Sequence, residues 1–178
     1  MKIGLVAMHT FPLPSPIHTG DIVIMHLGQE LVRMGHTVDF YAPAGSWIPK
    51  RGSWGSMPCT WGKADPPMEV CEQACWDEHS KEILAADVVH DWSHKKRIAE
   101  NLFKEGRTNV VSTLLGGVWK HPDPPLNIVV WSEAMRQRGL RGASDYEGTP
   151  TPNLGGPPQR PIKDAHVVPG ATDTDFYC

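Results

Sequence analysis

The sequence predicts an α/β domain built on a Rossmann-like, doubly wound parallel sheet. Two observations carry this. Short runs that are almost wholly apolar, such as Ile3-Gly4-Leu5-Val6-Ala7 and Asn127-Ile128-Val129-Val130-Trp131, have the character of strands covered on both faces. Between such runs lie segments of helical period, and that alternation is the signature of βαβ units and a parallel sheet.

In chain order, 3–7 reads as the first strand, and Pro12, Pro14 and Pro16 force an extended loop after it. From Gly20, the residues Ile24, Leu27, Leu31 and Met34 recur at helical spacing, and Gly35 stands at the C-cap position. A second strand is expected over 36–41, followed by a long Gly-, Pro- and Trp-rich loop over about 42–68. A helix over 69–86, a strand over 87–90, a helix over 95–105 closed by Gly106, and a strand over 109–113 come next. A strand over 127–131 leads into a short helix capped by Ser132, and a second loop covers about 140–163. The last strand is expected over 165–168.

The 178 residues fit a single domain with 40% apolar content, enough for one core. The formal net charge is −3, and no basic tract suggests a nucleic-acid partner. Lys95-Lys96-Arg97 and the basic residues over 136–141 read as solvated helix faces. With no signal-like leader and no run of about 20 apolar residues, a cytoplasmic location is expected, with docking at a membrane surface left open.

Ligands of wound parallel sheets bind at the carboxyl ends of the strands. The segments 9–20, 90–94, 114–119 and 132–133 therefore hold the candidates. Met8-His9-Thr10-Phe11-Pro12 excludes the tight G-x-G-x-x-G turn of dinucleotide-binding domains, and the chain contains no G-x-x-x-x-G-K-[ST]. What remains is a loop delivering Gly20 to a helix N-terminus, where free N–H groups suit an anion or where the glycine merely starts the helix. Cys71, Cys75 and His79 recur every four residues, so all three can share a helix face. Reduced core thiols are the default reading, the alternatives being a zinc set completed by Cys59 and a disulfide at Cys59.

Several segments, in order, resemble the N-terminal domain of GT-B glycosyltransferases of family 4, the glycogen synthase, mannosyl- and glucosyltransferase group. Leu27-Gly28-Gln29-Glu30-Leu31 through Gly35-His36-Thr37-Val38 is similar to its L-A-x-x-L-x-x-x-G-H-x-V stretch. Asp87-Val88-Val89-His90 resembles its D-V-V-H strand end, and Val130-Trp131-Ser132-Glu133-Ala134-Met135-Arg136 its S-E-A-M-R segment. Val168-Pro169-Gly170-Ala171-Thr172-Asp173 is similar to its V-P-N-G-V-D, so 169–178 would begin the interdomain connection.

The resemblance implies the acceptor-binding half of a retaining, metal-independent hexosyltransferase that uses a nucleotide-sugar. The donor-binding C-terminal half would be a separate domain or subunit, and this half alone would be nearly inactive. It implies His90 as the catalytic histidine, with His94 as its rival. Thr19, Gly20 and Asp21 would approach the donor phosphate or sugar, and Asp91, Trp92, Gly116, Gly117, Ser132 and Glu133 the acceptor. Each has a plainer role open to it: a structural histidine, a packing tryptophan, a turn glycine, a helix cap. Thr113-Leu114-Leu115-Gly116 replaces the family's T-x-H-G, so that histidine is absent. The alternative function is a non-catalytic carbohydrate- or partner-binding relic of such a domain.

Overall fold

The computed structural model describes residues 1–7, 12–13, 19–43, 46, 68–114, 127–130 and 166–167, with backbone alone at 19, 21, 68–71, 114, 130 and 167. The elements follow in the order β1 (Lys2–Val6), α1 (Thr19–Arg33), β2 (Thr37–Tyr41), α2 (Met68–Leu84), β3 (Val88–Asp91), α3 (Arg97–Lys104), β4 (Val110–Leu114), β5 (Ile128–Val130) and β6 (His166–Val167). All six strands pair in parallel, in the order β2-β1-β3-β4-β5-β6. The expected α/β parallel sheet is present. Its order places β1 next to β3, with β2 on the outer side, which is the flavodoxin-like arrangement of a doubly wound fold.

The register sorts the core. Leu5 stands beside Phe40 on β2 and His90 on β3, so these three point to one face of the sheet. That face carries Ile3, Leu5, Ala7, Val38, Phe40 and Trp92, and the α1 residues Ile24 and Met25 pack on it. The opposite face carries Val6, Tyr41, Val89 and Val110, covered by Cys75 and Ile83 of α2 and by Ile98, Ala99 and Leu102 of α3. Among the described residues, one helix covers one face and two cover the other, the layering of a wound fold.

Two glycines end helices as their positions suggested. Gly35 after α1 and Gly106 after α3 take φ of +87° and +74°, the left-handed region that lets the chain turn back. The end of α2 is held differently. Arg107 donates from its guanidinium to the carbonyls of Leu84 and Ala86, which have no partner further along the helix.

Three expectations are corrected. Met34, placed by spacing on the apolar stripe of α1, is 65% exposed, because α1 stops at Arg33 and the stripe ends with Leu31 and Val32. The helix expected over 95–105 begins only at Arg97, because Lys96 has φ 59° and ψ 27°, a conformation a right-handed helix cannot contain. Lys96 is also not on a solvated face. Its side chain is 1% exposed and lies under the strand tips. The short helix expected after Ser132 and the two long loops lie outside the described residues.

Candidate functional site

The chain leaves β1 toward β2 on one side, while β3 lies on the other, so the topological switch point falls between the carboxyl ends of β1 and β3. The sheet pairing continues slightly past both strands there. Trp92 N–H donates to the Val6 carbonyl and Ala7 N–H to the Tyr41 carbonyl, each at 2.9 Å. The segment from His90 to Lys96 runs across this edge, and α1 starts at the same edge on the His90 face.

His90 is partly exposed. Its Nε2 is 2.6 Å from the Thr113 hydroxyl, and its ring is tilted against Trp92 with centroids 5.4 Å apart. The pairing of β3 with β4 puts Asp91 beside Ser112, so the next residues along, Trp92 and Thr113, fall on the His90 face. Burial, and after it the Lys96 ammonium, push the His90 imidazole down to about 3 from its ordinary 6.5. The ring is therefore neutral at physiological pH, able to donate or accept one hydrogen bond at each nitrogen but not to carry charge.

On the opposite face the same strand tips are pinned by buried charges. The Lys96 ammonium donates to the carbonyls of Asp91 and Thr113 at 3.0 and 2.9 Å, which ties the end of β3 to the end of β4. The Asp91 carboxylate accepts from Ser93 N–H at 2.7 Å and, through its other oxygen, from Ala99 N–H at 3.0 Å. Glu72 of α2 accepts from Lys95 N–H at 2.8 Å and Arg97 N–H at 3.0 Å. The first turn of α3 thus receives two carboxylates, where free N–H groups and the helix dipole favour them. Burial, then the Asp91 charge, raises Glu72 to about 7, against the pull of the two N–H groups and Lys96. Burial lowers Lys96 from its ordinary value, opposed by Asp91 and Glu72.

The expected site residues divide accordingly. His90 is at the switch point with part of its surface open. His94, its rival, is 4% exposed. Asp91 and Trp92 were expected to meet an acceptor. As placed, both Asp91 oxygens serve backbone N–H groups around α3, and the Trp92 ring belongs to the core beneath α1. Gly20 is buried at the start of α1, and the side chains of Thr19 and Asp21 lie outside the described residues. So do Gly116, Gly117, Ser132 and Glu133.

Of the cysteine–histidine set, Cys75 is a buried core thiol and His79 packs against Tyr41, with ring centroids 5.7 Å apart. Cys59 and the side chain of Cys71 are outside the described residues, among which no group of three His, Cys, Asp or Glu could hold a metal. Among the same residues no helix is long and apolar enough to cross a membrane.

Sequence reasoning missed Glu72, Lys96 and Thr113 as organisers of this edge. The available signal was topological: Thr113 ends the strand that neighbours β3, so its side chain had to fall near His90 once the two strands paired.

The fold and this edge define a doubly wound α/β domain with a neutral, partly open histidine at its switch point. No protein-family model matches the chain, and no curated protein matches it.

Proposed function

We propose that this domain is the acceptor-side half of a retaining hexosyltransferase, working with a C-terminal donor-binding domain or subunit and a nucleotide-sugar. The observation that supports this most directly is the position of His90. It lies at the carboxyl edge of β3, at the switch point where wound parallel sheets take ligands, and it is neutral and only part-buried. A neutral imidazole there suits a hydrogen bond to a sugar hydroxyl or to a leaving-group oxygen. The ordered resemblance to family 4 transferases supplies the reaction class. Gly20 lies buried in the first turn of α1, and an approach of phosphate or sugar to that helix start is part of the proposal, carried by the resemblance alone.

A second reading, a non-catalytic carbohydrate- or partner-binding domain, draws on the burial of Asp91 and Trp92, which leaves His90 to meet a ligand without those two side chains.

One experiment separates them. Nucleotide-sugars are screened for turnover with the chain alone and with a candidate donor-binding partner. The transferase reading expects turnover only with both present, reduced by at least about 10²-fold in His90→Ala. Carbohydrate binding without turnover in any combination supports the second reading, and neither binding nor turnover overturns both.

A further inference from the structure

Thr113 is 1% exposed, and its hydroxyl has one hydrogen-bond partner among the described residues, the Nε2 of His90 at 2.6 Å. A buried hydroxyl hydrogen needs an acceptor, and leaving it without one costs about 1–3 kcal/mol. Two arrangements fit the distance. If Nε2 carried the ring proton, it would donate to Oγ1, and the Thr113 hydrogen would have no acceptor among the described residues. If Nε2 is bare, the hydroxyl donates to it, the buried Thr113 hydrogen has its acceptor, and the ring proton sits on Nδ1. That nitrogen makes no hydrogen bond among the described residues, and His90 is only part-buried as a residue.

We propose that Thr113 is the positioning residue of His90. Its hydroxyl fixes the imidazole as the Nδ1–H tautomer, so that the switch point presents a neutral N–H donor to an acceptor oxygen of the ligand rather than a base to its proton. The side chain of Thr113 acts through the ring, and its backbone acts in support. Lys96, bonded to the Thr113 carbonyl, pins the end of β4 and places a positive charge near the ring that disfavours an imidazolium. The inference deepens the transferase reading and rests on it for the identity of the ligand oxygen, a sugar hydroxyl or a phosphate oxygen. The tautomer itself is a property of the chain alone.

The test is long-range ¹H–¹⁵N correlation NMR of the ¹⁵N-labelled chain between about pH 6 and 8, with the His90 ring assigned by its loss in His90→Gln. The expected result is at least about a tenfold excess of the Nδ1–H tautomer, kept in Thr113→Ser and reduced toward an even mixture in Thr113→Val. A predominant Nε2–H tautomer in the unsubstituted chain, or an unchanged ratio in a folded Thr113→Val, would overturn the proposal. Should Thr113→Val not fold, the tautomer of the unsubstituted chain decides alone. Because no sugar enters this measurement, a failed turnover screen with the expected tautomer would sink the transferase reading and leave the role of Thr113 standing.

Discussion

The Lys96 ammonium and the Asp91 carboxylate lie 4.0 Å apart, with 1% and 0% of their side chains exposed. Both also bond to backbone, Lys96 to two carbonyls and Asp91 to two N–H groups, so the pair is a junction between strand ends and the first turn of α3. Removing one member of a buried pair leaves the other charge uncompensated, at a cost of about 3–5 kcal/mol. Lys96→Met and Asp91→Asn should each lower stability by that order in urea denaturation. The double variant should lose clearly less than the sum, because the second change removes a charge already stranded by the first. Strict additivity would show that the two act independently.

Glu72 and His90 should pull the pH dependence of stability in opposite directions. Glu72 titrates at about 7 folded against 4.5 in its ordinary state, so between those values the native chain holds a proton that the unfolded chain releases. Its contribution therefore falls as pH rises through that window. His90 titrates at about 3 folded against 6.5, so there the unfolded chain holds the extra proton and the contribution rises with pH. Each slope approaches about 1.4 kcal/mol per pH unit, and they offset one another between 4.5 and 6.5. Relative to the unsubstituted chain, Glu72→Gln should lose stability on acidification through that shared window, and His90→Gln should gain it. Parallel profiles for all three would refute the assignment.

Gly28 lies inside α1 where an added Cβ would come 3.1 Å from Leu5 Cδ1. Alanine gains about 1 kcal/mol of helix propensity there and loses a similar amount by pressing on a flexible methyl end. Gly28→Ala should stay within about 1 kcal/mol of the original, whereas Gly28→Val should destabilise by about 1–3 kcal/mol. Thermal unfolding of the two variants measures the difference.

Arg107 joins the end of α2 to the approach to β4 by donating to two backbone carbonyls. Arg107→Ala leaves both without that donor and should cost about 1–3 kcal/mol. Arg107→Lys should recover only part of it, since an ammonium does not reproduce the planar fork. Full recovery would mean that charge rather than geometry closes this helix.

The strands were legible because a strand covered on both faces must be apolar throughout, as 3–7 and 128–130 are. The helix ends at Gly35 and Gly106 were legible because only a residue without a side chain enters the left-handed region freely. Lys96 was not. Between Lys95 and Arg97 it has the appearance of a solvated cation, and nothing local signals that Glu72, 24 positions earlier on another helix, will be brought alongside. His90 was legible as a strand-end histidine, but its neutrality comes from burial and then from Lys96, and its tautomer from Thr113, none of which shows until β3 pairs with β4. The expected roles of Gly116, Gly117, Ser132 and Glu133 fall outside the described residues.

The carboxylates that Glu72 and Asp91 lend to the start of α3 have an effect on selectivity. The N–H groups of Arg97 and Ala99 already donate to buried acidic side chains, so an incoming phosphate would find those two donors taken.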